Sequence, residues 1–340
     1  MLDVISIGSS TMDFYVETKF PAIPWDTPLG AALAIPFGEK FSCKSSLVTS
    51  GGNAVNSAIT FKRQGLKVAT AIKLGCDIPG EMVWSRLKDE GVKDKFVVWS
   101  DKKPTSRSVI MLQKGERSII THQGSGSHLV PSDLNLNKMK AKWWYVSLSG
   151  DSYKRFPQIA KKAYEMGIKI AFNPTGHHLR EGKKQLISNL KYVDLLVLNA
   201  GEASILTGIS FSDEQKVFKA IDKMVSGVVA VTKGSKGSVI SDGEKIYEAG
   251  IIKEKKLIDR TGAGDAYGAG LVAGLIRTKE QCGKFGCDPD NLKYAIRLAT
   301  ANASSVIETV GASENALYKE DFNKNSRYKK LKIDVKKIKK

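Results

Sequence analysis

Residues 259–275 read DRTGAGDAYGAGLVAGL. Three small residues, Gly262, Ala263 and Gly264, precede a carboxylate, Asp265, and the stretch then continues as small-residue helix sequence. The first backbone N–H groups of a helix have no intrahelical partner, and together with the macrodipole they favour an anion. Gly262, Ala263 and Gly264 put little side chain in front of such a hole. Asp265 at its rim repels phosphate but can take a proton from an attacking hydroxyl. Phosphoryl transfer asks for little more than a base on the nucleophile, donors on the developing charge and Mg²⁺. The stretch therefore predicts an anion hole with an adjoining base. The plainer reading of Asp265 is an acid stabilised at a helix N-terminus. Gly268, Gly270 and Gly274 read as close packing of helix on strand. GAGDAYG is a poor dinucleotide fingerprint, with no acidic partner on a following strand, and no Walker A loop exists anywhere in the chain.

Such a hole must be carried by regular elements. Apolar runs suited to buried strands occur at 4–8, 68–74, 143–147, 168–173, 195–199 and 228–232. Helical patterns lie between them at 53–64, 80–90, 156–166, 183–190 and 213–224. This alternation predicts an α/β fold around a parallel sheet. Residues 14–50 and 96–121 break the rhythm with period-two alternation, the mark of strands exposed on one face. They predict a small β-sheet lid over a single domain spanning 1–325, followed by a basic tail at 326–340. The edges of such a lid could pair two copies into a homodimer.

The 340 residues carry a formal charge of +18, which raises a nucleic-acid reading. Much of the excess is dispersed over helix faces or gathered in RYKKLKIDVKKIKK, and no zinc knuckle, RNP-like strand or helix-turn-helix accompanies it. A solvated basic surface is the expectation, with nucleic acid not a partner. Of the four cysteines, Cys282 and Cys287 lack further ligands for a zinc site, so free thiols are expected. No signal peptide is read at the start, and no run approaches the roughly 20 apolar residues of a membrane span. A cytoplasmic protein follows.

The 259–275 segment resembles the C-terminal signature of the ribokinase-like sugar kinases, the phosphofructokinase B family, whose pattern is D-T-x-G-A-G-D. Here Asp259-Arg260-Thr261 opens it in the D-x-T form. Residues 50–81, SGGNAVNSAITFKRQGLKVATAIKLGCDIPGE, resemble the N-terminal signature. The resemblance covers nearly the whole chain outside the tail. It implies a ribokinase-like fold, a central mostly parallel sheet flanked by helices with a small β lid. It also implies transfer of the ATP γ-phosphoryl to a primary hydroxyl of a sugar or nucleoside.

Roles follow from that likeness. Asp265 is the base, and Gly262, Ala263 and Gly264 form the anion hole. Asn199 and Glu202, in VLNAGEASILTG, resemble the N-x-x-E motif that organises Mg²⁺, partly through water. A capping box is their structural alternative. Thr232, Gly234 and Gly237 look like the nucleotide-binding turn, and Asn302 and Gly311 like the segment beside adenine. Relatives often bind K⁺ near Asp259 and Thr261, largely through backbone oxygens. For the acceptor, Asp13 matches the carboxylate after the first strand, and Gly51, Gly52, Asn53 and Asn56 follow the G-G-x-x-x-N pattern. Asn173 is a further rim residue. Ribokinases carry Lys where Asn53 stands, and the D-x-N-x-R of fructokinases has Thr175 at its Arg. A ribosyl group, free or in a nucleoside, is the favoured acceptor. A hexose or keto-sugar is the alternative within the family, and a non-catalytic nucleotide or sugar sensor the alternative outside it.

Overall fold

The computed structural model describes residues 1–26, 30–113, 116–278 and 288–338. Cys282 and Cys287 lie outside the described residues. A nine-stranded sheet forms the centre, running from edge to edge as Ile333–Lys337, Lys245–Ala249, Ser238–Ser241, Val228–Thr232, Leu195–Asn199, Lys169–Phe172, Ala141–Ser147, Leu2–Gly8 and Val68–Ala71. The six strands from Val228–Thr232 to Val68–Ala71 are parallel, and the other three join antiparallel. Parallel strands covered by helices on both faces are apolar throughout rather than alternating. Val68–Ala71 and the first four residues of Leu195–Asn199 are buried without exception. Two large apolar clusters, one on each face of the sheet, form the core.

The helix Asn53–Arg63, the helix Ala263–Arg277 and the helix Pro289–Val306 contribute to one of these clusters. Of the three glycines expected to pack helix on strand, Gly268 does face a strand residue, Tyr145, whereas Gly270 and Gly274 face a helix instead. A Cβ at Gly270 would press on Ala299, and one at Gly274 on Ala295, so the two longest helices approach backbone to backbone.

A separate four-stranded sheet takes the order Glu116–His122, Ser106–Gln113, Thr11–Glu17, Ser45–Gly51. Ser106–Gln113 buries every second residue, the period that marked this region in the sequence. Glu116–His122, at the sheet's edge, is exposed along its whole length.

Three expectations are corrected. The 68–74 strand splits: the chain leaves the main sheet after Ala71, and Lys73–Gly75 pairs with Val98–Ser100. Val98–Ser100 is therefore not part of the lid sheet. The expected tail at 326–340 is not a solvated tail over its described residues, 326–338, because Ser326–Lys329 is helical and Ile333–Lys337 is the outer strand of the main sheet. Asp334 and Lys336 alternate with Ile333 and Val335, and a tail-like composition hid a strand. The domain boundary at 325 goes with it.

Candidate active site

The chain order reverses between Leu2–Gly8 and Ala141–Ser147, since the first strand is followed by Val68–Ala71 on one side and by Ala141–Ser147 on the other. Such a switch point leaves a crevice at the carboxyl ends of the strands, where open α/β sheets bind ligands. A cavity of about 550 Å³ opens along this side of the sheet. Gly262, Ala263, Gly264, Asp265, Asn173, Asn199, Glu202, Thr232, Gly234 and Gly237 all line it.

The helix Ala263–Arg277 starts at the cavity. Gly262 is its N-cap at φ 78°, with no side-chain cap, and a Cβ there would overlap the Ala312 carbonyl. Only glycine satisfies both constraints. Gly264 faces open space. Asp265 sits half-buried in the first turn, and Asn56 Nδ2 donates to its Oδ2 at 3.0 Å. Burial pushes the Asp265 carboxyl up to about 6, the Asn56 amide pulls against that, and the Asp13 charge adds to it.

On the adjacent strand end, Asn199 and Glu202 form a reciprocal capping box. Asn199 N–H donates to Glu202 Oε2 at 2.8 Å, and Glu202 N–H donates to Asn199 Oδ1 at 2.9 Å. The structural alternative is thus present, and both residues still line the cavity. Burial raises the Glu202 carboxyl, the Asn199 N–H opposes it, and Asp265 raises it further. A carboxylate whose ionisation is opposed by a neighbouring carboxylate invites a cation. No group of three or more potential ligands exists among the described residues. Mg²⁺ keeps several waters and needs only one or two carboxylates besides phosphate oxygens.

The apolar wall of the cavity was not foreseen. Ile251, Ile252, Leu257, Ala303 and Ile307 line it beside Thr300 and Ser304, whose hydroxyl donates to the Ile252 carbonyl at 2.6 Å. Arg117, from the lid, and Arg260 line it as well. Arg117 carried no motif, and Arg260 is the variable residue of one.

Of the acceptor candidates Asn173 alone is in the cavity wall; Asp13, Gly51, Gly52, Asn53 and Asn56 are outside the lining. Asp13 is 5% exposed and accepts from Thr11 Oγ1 at 2.8 Å. Burial raises its carboxyl, against the hydrogen bonds of Thr11 and Ser108. A Cβ on Gly51 would overlap Asp13 Oδ2. Gly52 is the N-cap of the helix Asn53–Arg63. Asn53 Nδ2 donates to Ser147 Oγ at 2.6 Å, joining the start of that helix to the end of Ala141–Ser147 at the switch point. Asn173 Nδ2 donates to the Val197 carbonyl at 2.9 Å.

Two nucleotide assignments are corrected. Asn302 is fully buried, donates to the Ala266 carbonyl at 2.7 Å and accepts from Leu317 N–H at 2.9 Å, so its amide staples the core. Gly311 is outside the cavity lining, and its N–H donates to Asp259 Oδ2 at 3.2 Å. The other oxygen of Asp259 accepts from Thr261 N–H at 2.8 Å and from Thr261 Oγ1 at 2.6 Å. The two side chains assigned to K⁺ are thus committed to each other.

The family model for pfkB family carbohydrate kinases matches residues 1–318. The chain belongs to this family. A ribokinase of Haemophilus influenzae is 29% identical over 304 residues, 82% of this chain and 91% of that protein. A nucleoside kinase of Methanocaldococcus jannaschii is 24% identical over 319 residues, 93% of each chain. Arabidopsis thaliana ribokinase, solved with ribose and ATP, shares the fold at a TM-score of 0.75 and 24% identity, over 96% of this chain and 99% of that one. This pfkB kinase is a sugar or nucleoside kinase with the ribokinase-like fold. No helix among the described residues is long and apolar enough to cross a membrane.

Proposed function

We propose that this kinase transfers the γ-phosphoryl group of ATP to a primary hydroxyl of a ribosyl group, free or within a nucleoside. Asp265 is the base, and the N–H groups at Gly262, Ala263 and Gly264 face the transferring phosphate. The observation that carries the reading is the Asp265 carboxylate at the cavity, in the first turn of a helix that opens with no side-chain cap. Asn56 ties that carboxylate to the acceptor side, and its buried Oδ1 has no partner among the described residues, leaving an oxygen for a substrate hydroxyl. The buried Asp13 carboxylate suits adjacent sugar hydroxyls, with Gly51, Gly52, Asn53 and Asn173 completing the acceptor side.

Thr232, Gly234 and Gly237 take the nucleotide phosphates, and the Ile251, Ile252, Leu257 and Ile307 side chains take the base. Glu202 and Asn199 hold Mg²⁺ through water. When bound, Mg²⁺ neutralises charge on the phosphates. K⁺ belongs at the backbone oxygens around Asp259 and Thr261. The exposed Ile119 and Ile120 of the lid edge strand support a homodimer through the lids, checked by the mass in solution. The reaction is assigned to the cytoplasm, where its nucleotide is supplied.

The deciding experiment is ATP consumption over a panel of sugars and nucleosides, run with wild type and Asp265→Asn. Turnover should be fastest on ribose or a nucleoside and lost in the variant. Faster turnover of a hexose would replace the acceptor. Tight nucleotide binding without turnover on any acceptor would point to a sensor.

A further inference from the structure

Arg260 stands at the variable position of its motif, two residues ahead of the N-cap glycine. Its Nη1 donates to Glu116 Oε1 at 2.6 Å. Glu116 opens the lid edge strand Glu116–His122, so the pair crosses from the core to the lid. Arg117, the next residue of that strand, lines the same cavity as Arg260. Among the described residues lining the cavity these two are the cations, set against the carboxylates of Glu202, Glu254 and Asp265.

An ion pair whose side chains are 48% and 54% exposed does little for stability. An ordinary surface pair would explain the contact but not its position at the mouth of an anion hole. A guanidinium carries five donors in a rigid planar fork. Glu116 engages Nη1, which fixes the plane of the group while leaving other donors for a phosphate oxygen. We propose that Arg260 is a ligand of the transferring phosphate, that Arg117 reaches the same phosphate from the lid, and that Glu116 is the positioning residue for the Arg260 fork. Lid placement and charge neutralisation are then one event, because the group that orients the core arginine belongs to the lid. This rests on reading the cavity as the ATP site.

The test uses Arg260→Met, Arg260→Lys, Arg117→Met, Glu116→Gln and the swap R260E/E116R in the full chain. ATP and adenosine binding are measured by calorimetry, and kcat at saturating MgATP. Arg260→Met should weaken ATP at least about tenfold without changing adenosine binding, and lower kcat about 100-fold. Lysine should restore ATP binding but not kcat, since it supplies charge without the fork. Arg117→Met and Glu116→Gln should each lower kcat about tenfold. The swap keeps an ion pair between lid and core but puts a carboxylate beside the phosphate, so it should remain as impaired as Arg260→Met. Recovery of wild-type kcat in the swap would overturn the proposal and leave only a latch. Equal ATP affinity in wild type and Arg260→Met would overturn it too. A wild type that binds ATP but phosphorylates no acceptor sinks the proposed ribosyl phosphorylation, while the ATP-against-adenosine difference still decides Arg260.

Discussion

Asn56 Nδ2 lies 3.0 Å from Asp265 Oδ2, a single hydrogen bond joining the helix of the N-terminal signature to the helix of the C-terminal one. The amide donates, so it favours the ionised carboxylate in a place where burial and the Asp13 charge favour the neutral acid. The two signatures, more than 200 residues apart in sequence, thus act on one proton.

Asp265→Asn should lower kcat by about 10²–10⁴-fold while nucleotide affinity, read by calorimetry, stays near that of wild type. A variant that loses nucleotide binding and turnover together would show that Asp265 organises the site rather than the proton.

The same substitution should stabilise the fold at neutral pH. The folded carboxyl titrates near 6 against an ordinary 3.8, so between those values the folded chain binds more protons than the unfolded one. Stability from this group is complete below about pH 4, is lost as pH rises to about 6, and stays lost above. Removing the charge should recover about 1–2 kcal/mol at pH 7.5 and nothing near pH 4, measured by denaturant unfolding.

Asn56→Leu removes the donor that holds Asp265 ionised. The acid limb of the kcat/KM profile, expected near pH 6 in the wild type, should move upward, with kcat/KM at pH 6 falling more than at pH 8. An unmoved limb would show that the amide serves the acceptor alone.

Gly51→Ala places a methyl group on the Asp13 carboxylate. Displacing that side chain should lower kcat/KM for the acceptor by about 10–100-fold, with KM for ATP unchanged. Steady-state kinetics in both substrates separate the two effects.

Glu202→Gln keeps an oxygen able to accept the Asn199 N–H but removes the charge. Melting temperature should hold, while the Mg²⁺ concentration for half-maximal rate rises about 10–100-fold. Asn199→Ala, by contrast, should cost about 1 kcal/mol through the lost cap.

The sequence revealed the parallel core because strands buried on both faces leave unbroken apolar runs, as at 195–198 and 228–231. It revealed the helix start at 262 because small residues before a lone acid have few other uses. Arg117 stayed hidden, since its place over the cavity follows from how the lid sheet is seated. Asn302 misled for the opposite reason: an asparagine near a functional segment looks like a ligand until its amide is found spent on Ala266 and Leu317. The last strand was missed because edge strands shield themselves with lysine, and that same composition marks a tail.

That last strand pairs residues 333–337 with 245–249 and covers an otherwise bare sheet edge. During synthesis the edge must wait, unpaired, until residue 337 has cleared the ribosome. The nascent kinase therefore carries an open β-template through the translation of nearly ninety residues, the interval in which a chaperone or a neighbouring chain can reach it.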